Sequence, residues 1–117
     1  MADPNQAVID APAAPPKRSP SPTQPKRLPP YAVILENDDQ HTYAYVMEML
    51  QRVFGKSLED AFVLTQKVDQ EGEAQVWTGQ KEVAEFKRDQ VRGYGPDLYA
   101  RKPIKFPLGV RIEPMPQ

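Results

Sequence analysis

Cysteine is absent from this 117-residue sequence, and histidine and tryptophan each occur once. Without cysteine the chain can form no disulfide, no thiolate metal site and no cysteine nucleophile, which fits a reducing compartment. His41 follows two aspartates, but one imidazole without a nucleophile or a second soft ligand gives little support to a metal site or a general base. We therefore expect no catalytic residues, no metal and no other cofactor.

Net charge and long apolar runs are also lacking. The formal net charge is −1, so no overall basic field would recruit nucleic acid. No apolar run approaches the roughly 20 residues that a membrane span requires, and the N-terminus lacks the basic-then-apolar pattern of a signal peptide. We expect a cytoplasmic protein with no nucleic-acid or membrane partner. Since no exposed apolar stripe is obvious, we also expect a monomer.

Proline, by contrast, is abundant at the start of the chain. Nine of the fourteen prolines fall within residues 1–30, and each removes a backbone donor and fixes φ. We therefore expect residues 1–28 to form a disordered, partly extended arm and residues 29–117 to form one domain. The arm contains Pro22-Thr23-Gln24-Pro25 before two basic residues, a minimal proline-rich ligand pattern that a solvated tail also matches by composition.

Hydrophobic periodicity after the arm predicts an α+β domain with the order β-α-α-β-α-β. The continuous run Val33-Ile34-Leu35 predicts a central strand over Tyr31–Glu36. Helices are predicted over 43–54, 57–70 and 80–92, each ended by glycine, and further strands over 74–78 and 108–113. The basic, aromatic stretch 96–107 is interpreted as a solvated loop that covers the sheet edge, in preference to a single-stranded nucleic-acid site.

Core positions follow from the same periodicity. The residues predicted to face the core from the three helices are Tyr43, Val46, Met47, Leu50, Val53 and Phe54; Leu58, Ala61, Phe62, Thr65 and Val68; and Val83, Ala84, Phe86 and Val91.

The turn Asn37-Asp38-Asp39 is the main candidate for a site. It places an amide and two carboxylates where a buried strand ends, so that acceptors lie at the edge of an apolar core. Such a site could hold an ammonium beside a hydrophobic side chain. Charge-assisted hydrogen bonds of about 1.5–3 kcal/mol each and about 1.5–3 kcal/mol for burying Leu or Phe would give micromolar-class affinity. The alternative is that the turn only caps the first helix.

Several motifs in this order resemble the ClpS family, the adaptors of the ATP-dependent Clp protease. The resemblance covers residues 29–92 closely and the last strand less closely. The matching motifs are Tyr31-x-Val33-Ile34-Leu35-x-Asn37-Asp38-Asp39, Val46, Leu50-Gln51, Gly72-x-Ala74 and Glu82-Val83-Ala84-Glu85-x-Lys87.

The resemblance implies three antiparallel strands against three helices and no catalysis. It also implies a role in the N-end rule pathway, where family members bind N-degrons, proteins whose first residue is bulky and hydrophobic. They pass these substrates to the N-terminal domain of a ClpA- or ClpC-type unfoldase, and the proline-rich arm matches the flexible extension that engages this unfoldase.

The site residues that the resemblance implies fall into three groups. The α-amino group would be held by Asn37 and Asp38, with Asp69 where the family has a histidine. The hydrophobic pocket would be lined by Asp39, His41, Tyr43, Val46, Thr65, Val68 and Leu108. The unfoldase would dock on the outer face of the third helix, at Glu82, Glu85 and Lys87.

Departures from the family pattern leave alternatives open. Tyr43 and Thr65 replace pocket methionines, and both would also suit the packing between two helices. With Asp69, they permit a second reading, a regulator that docks on the unfoldase without binding N-degrons. The charged residues of the third helix would also suit ordinary solvated surface, and an enzyme built on the acidic turn is the remaining alternative.

Overall fold

The structure is a computed structural model that describes residues 28–116. The predicted proline-rich arm lies outside this range apart from Leu28. The order β-α-α-β-α-β is confirmed, and each predicted boundary lies within one residue of the observed one. The elements are β1 (Tyr31–Glu36), α1 (Tyr43–Phe54), α2 (Leu58–Glu71), β2 (Glu73–Gly79), α3 (Lys81–Arg92) and β3 (Gly109–Pro114).

The strands form one antiparallel sheet in the order β2-β1-β3. The prediction that β1 is central is therefore confirmed. Because side chains alternate along a strand, Val33 and Leu35 enter the core and are 0 % exposed. Ile34 lies on the other face, where its register partners are Gln75 on β2 and Arg111 on β3.

Arg111 links all three strands on that other face. Its guanidinium donates to both carboxylate oxygens of Glu73 at 2.9 Å, to Glu36 at 2.8 Å and to Glu113 at 2.7 Å. Such bidentate contacts raise the pKa of Arg111 and hold the pKa of the Glu73 carboxyl below its usual value. The network stabilises the open face of the sheet at the end nearest the acidic turn.

Capping residues that can be identified in the sequence set the ends of the helices. Thr42 caps α1 and accepts from the amide of Tyr45 at 3.2 Å. Ser57 caps α2 and accepts from the amide of Asp60 at 3.1 Å. Gly72 ends α2 with φ of 88°, a left-handed conformation in which a side chain would be strained. This sharp end lets β2 begin at the next residue.

Five predicted core residues are on the surface, four of them in α2 and α3. Leu58, Phe62, Val83 and Phe86 are 60 %, 43 %, 39 % and 63 % exposed, so the prediction that they face inward is wrong. In α3, Ala84 and Val91 are the fully buried positions, because small side chains let the helix approach the sheet closely and leave the larger ones outside.

Helix α1 also differs from the prediction in its buried face. Tyr45 and Met49 are buried, whereas Tyr43 is 37 % exposed. The reason is that the segment between α3 and β3 covers a second side of the helix. The ring of Tyr94 packs edge-on against Tyr45 with centroids 5.6 Å apart.

That segment, which we call the connecting loop (residues 93–108), lies against α1. The hydroxyl of Tyr45 donates to the carbonyl of Gly95 at 2.6 Å. Tyr94 and Tyr99 donate to the two carboxylate oxygens of Glu48 at 2.6 and 2.5 Å. Burial and the bond to Glu48 raise the pKa of Tyr94 to about 12. The predicted loop 96–107 is solvated along most of its length, since nine of its twelve residues are exposed. Its hydrogen bonds to Thr42 and Glu48 place it against α1, and not over the sheet edge where the prediction put it.

Helices within residues 28–116 are all too short or too polar to cross a bilayer.

Candidate ligand-binding site

A small cavity of about 120 Å³ lies where the acidic turn, the start of α1, the second half of α2 and the residue before β3 meet. Nine of the ten residues predicted for the α-amino site and the pocket line it, and Asp38 does not. The lining residues are Asn37, Asp39, His41, Thr42, Tyr43, Val46, Thr65, Val68, Asp69 and Leu108.

The deep wall of the cavity is apolar. Val46 from α1, Val68 from α2 and Leu108 from the connecting loop are 5 %, 3 % and 2 % exposed. Thr65 is equally buried, and its hydroxyl donates to the carbonyl of Ala61 at 2.7 Å. Because that donor is satisfied within its own helix, the Thr65 hydroxyl needs no polar partner from a bound ligand.

Asn37 and Asp39 hold the acidic turn in one shape. The side-chain amide of Asn37 donates to Asp39 at 2.7 Å, and the backbone amide of Asp39 donates to the Asn37 oxygen at 3.2 Å. Asp39 has φ of 62°, a left-handed conformation that is uncommon for a residue with a side chain. The backbone amide of Asn37 is anchored on the carbonyl of Gly72 at 2.9 Å. The two side chains therefore reach the cavity from a constrained turn.

Asp38 lies behind the turn. Its Oδ1 accepts from the amides of Gln40 and His41 at 2.9 and 3.0 Å, and its Oδ2 lies 2.5 Å from Nδ1 of His41. Burial acts to raise the pKa of Asp38, but the two amides and the His41 ring outweigh it and hold the pKa below its usual value. This carboxylate is therefore ionised and fully engaged by its neighbours.

His41 joins the acidic turn to the connecting loop. Its side chain is 1 % exposed, and its Nε2 lies 3.0 Å from the backbone carbonyl of Phe106. The two ring nitrogens thereby link the Asp38 carboxylate to the backbone of the connecting loop. The carboxylates that line the cavity are those of Asp39 and Asp69.

Tyr43 and Asp69 meet across the cavity wall. The Tyr43 hydroxyl donates to Oδ2 of Asp69 at 2.8 Å, which joins the first residue of α1 to the last turn of α2. The hydrogen bond is the main reason that the pKa of Tyr43 is raised. The Tyr43 ring also leans on Phe62, with centroids 6.2 Å apart. No local pattern indicates that these two departures from the family pattern are partners.

Two residues of the site were missed by sequence reasoning. Thr42 caps α1 and also lines the cavity. Asp97 is 0 % exposed and accepts from the amides of Thr42 at 2.7 Å and Tyr99 at 2.9 Å. Thr42 could have been suspected from its neighbours. Asp97 has no local signal, because its partner lies 55 positions earlier.

The residues predicted for unfoldase docking divide into two groups. Glu82 and Glu85 line an open groove of about 860 Å³ beside residues 28–30. Lys87 is half-buried and turned inward, which differs from the outer-face placement expected of it. Its ammonium donates to the carbonyl of Val53 at 2.9 Å and lies over the Trp77 ring at 5.6 Å.

The cavity has the chemistry of a binding site. It combines carboxylate and amide acceptors with an apolar wall, a pairing that suits a cation carrying a hydrophobic group. Within the described range, carboxylates and the imidazole do not group in threes around a possible metal position. The fold and the cavity thus define a small binding module.

Comparison with known proteins identifies the kind of module. The family described as "ATP-dependent Clp protease adaptor protein ClpS" matches residues 26–107. ClpS from Nostoc sp. is 41 % identical over 86 residues, which cover 73 % of this chain and 88 % of that protein. ClpS from Nautilia profundicola is 46 % identical over 61 residues, or 52 % of this chain and 63 % of that protein. The chain belongs to the ClpS family of Clp protease adaptors, which confirms the resemblance.

A solved structure is also similar. Agrobacterium tumefaciens ClpS2 bound to L-phenylalaninamide has a TM-score of 0.62 and 27 % sequence identity to this chain. The match covers 76 % of this chain and all of that one.

Proposed function

We propose that this adaptor binds N-degron substrates through the cavity and delivers them to a ClpA- or ClpC-type unfoldase of the Clp protease. The observation that best supports this function is the convergence of acceptors and an apolar wall on one cavity from four separate parts of the chain. The ligand of the A. tumefaciens ClpS2 structure, L-phenylalaninamide, has a free α-amino group next to an apolar side chain, the chemistry this cavity would recognise.

We assign the binding of the α-amino group to the side chains of Asn37 and Asp69. An ammonium has three donors and no acceptor, and these two side chains offer an amide oxygen and a carboxylate at the cavity. Asp38 contributes from behind, by fixing the turn through its bonds to the amides of Gln40 and His41. The first side chain of the substrate would lie against Val46.

Cavity size bears on which first residues are accepted. A volume of about 120 Å³ is somewhat smaller than the roughly 150 Å³ apolar cavity that admits benzene in another protein. Small first residues therefore enter the cavity as it stands. An aromatic first residue requires the cavity to widen.

A second candidate function is regulation of the unfoldase without N-degron binding. Two observations favour it, the small cavity and the hydrogen bond from Tyr43 that already occupies one oxygen of Asp69. The two functions share unfoldase binding and differ in peptide binding.

Peptide titration separates them. Fluorescence anisotropy with peptides that begin with Leu, Phe, Trp, Tyr, Ile or Ala should give micromolar dissociation constants for the accepted first residues. N-acetylated versions, which lack the charge that the site would read, should bind at least tenfold more weakly. Equal, millimolar binding of all six peptides, or binding that survives acetylation, would exclude N-degron recognition and leave the regulator.

Docking on the unfoldase is proposed for Glu82 and Glu85, with Lys87 holding α3 in place from its inner side. Glu82→Lys should abolish co-purification with the N-terminal domain of the unfoldase and leave the thermal midpoint within about 2 °C, since exposed charges affect stability little. Asp89→Lys makes the same charge change on the same helix and serves as the control. Loss of folding in Glu82→Lys, or equal loss of docking in both variants, would argue against this surface.

A further inference from the structure

Tyr43 and Asp69 form a bridge at the outer wall of the cavity. The Tyr43 hydroxyl donates to Oδ2 of Asp69 at 2.8 Å, while Oδ1 of Asp69 has no hydrogen-bond partner among residues 28–116. The aspartate otherwise lies exposed on the last turn of α2. The bridge is therefore the contact that fixes this carboxylate beside the cavity.

A fixed carboxylate is a better ammonium acceptor than a free one. An exposed aspartate samples several rotamers, and binding must then stop that motion at a free-energy cost. Here the Tyr43 ring is itself held, by its contact with Phe62 at a centroid distance of 6.2 Å. The held ring fixes the position of the hydroxyl, and the hydroxyl in turn fixes the Asp69 carboxylate. Oδ1 of Asp69 stays available to accept a hydrogen bond from an ammonium.

We infer that Tyr43 is a positioning residue for amine recognition, acting through Asp69. Its hydroxyl orients the carboxylate that accepts from the α-amino group, so the ammonium is read by a tyrosine–aspartate pair. This inference rests on the proposed N-degron function and specifies how the amine end of the cavity works. It also separates two parts of one side chain, because the ring borders the apolar space whereas the hydroxyl serves the amine.

The test compares Tyr43→Phe with the unchanged protein, using Leu-, Phe- and Ala-starting peptides in free and N-acetylated forms. Tyr43→Phe keeps the ring and removes the hydroxyl. Affinity for every free-amine peptide should fall about fivefold to tenfold, which lies within the cost of ordering one side chain on binding. The ratios among the three peptides should stay within twofold, and the acetylated peptides should be unaffected.

A double-mutant cycle with Asp69→Asn isolates the coupling. If the hydroxyl acts through Asp69, the double variant should bind no more than twofold more weakly than Asp69→Asn alone. Tyr99→Phe is the matched control, because Tyr99 also donates to an acidic side chain, Glu48, but does not line the cavity. Its peptide affinities should equal those of the unchanged protein.

Each contrary outcome has a distinct meaning. Unchanged affinity in Tyr43→Phe, additive losses in the cycle, or altered ratios among the peptides would overturn the positioning role while the N-degron function stands. Absence of binding by the unchanged protein to every free-amine peptide would overturn both. Circular-dichroism melts of each variant verify folding, which the 37 % exposure of Tyr43 leads us to expect.

Discussion

Asp97 should be among the most sensitive positions for stability, although it lies in an irregular segment. Its carboxylate is 0 % exposed and accepts from the amides of Thr42 and Tyr99 and from the Thr42 hydroxyl. Asp97→Ala would leave these partly buried donors without an acceptor. It would also remove a negative charge from the start of α1, where the helix dipole favours one.

The size of the loss follows from the number of donors. Each hydrogen bond to a buried charged group contributes about 1.5 kcal/mol at the lower end of the usual range. The amides of Thr42 and Tyr99 together therefore give a loss of about 3 kcal/mol in the free energy of unfolding for Asp97→Ala. Asp97→Asn keeps one acceptor oxygen but turns an NH₂ toward donors, so we expect about half that loss.

Urea denaturation followed by circular dichroism measures this loss. A destabilisation of about 3 kcal/mol should also lower the thermal midpoint by at least 12 °C in a domain of this size. Asp89→Ala provides the control, since the Asp89 side chain is 63 % exposed and its variant should stay within about 0.5 kcal/mol. A loss below about 1 kcal/mol for Asp97→Ala, with an unchanged denaturant slope, would refute the reasoning.

Three further predictions test other parts of the fold. Ser57→Ala should lower the free energy of unfolding by about 1 kcal/mol, because the amide of Asp60 loses its cap, and Ser57→Asn should restore most of it in the same urea experiment. Lys87→Met should reduce stability by about 1 kcal/mol, because the last turn of α1 loses a cation on its carbonyl, and a neutral result by calorimetry would contradict that account. Arg111→Met should make the stability of the protein less dependent on pH in the acidic range. Glu73 has a lowered pKa in the folded state, so its contribution is present above its ordinary value of 4.5 and is lost as pH falls through the lowered value. Thermal midpoints from pH 7 to pH 3 should thus fall more steeply in the unchanged protein than in the variant.

The order of elements could be predicted because each depends on local patterns. The run Val33-Ile34-Leu35 could only be a buried strand, and the glycines at positions 55 and 72 mark the helix ends within one residue. Most residues around the cavity could be anticipated because short motifs, among them Asn37-Asp38-Asp39 and Val46, align the chain with one family, and the other positions were carried over from that resemblance. Their convergence on one cavity is a property of the fold, and periodicity alone would not have revealed it.

What escaped prediction depends on contacts between distant residues. The pairing of Glu48 with Tyr94 and Tyr99 joins residues 46 and 51 positions apart, and nothing local indicates it. The contact of the connecting loop with α1 was therefore not predicted. Phe86 was placed in the core by the helical periodicity of apolar residues, but the close approach of α3 to the sheet left room only for small side chains.

The connecting loop has a consequence for the order in which the site is completed. Leu108 closes the apolar wall, and the carbonyl of Phe106 receives the His41 ring, yet both residues come near the end of the chain. Contacts of such large sequence separation form late, because a long loop must close before they can be made. During synthesis, the acidic turn emerges well before the residues that complete the cavity. An unfinished chain therefore carries Asn37, Asp39 and Asp69 without Leu108, and the cavity is completed only when nearly the whole domain has been made.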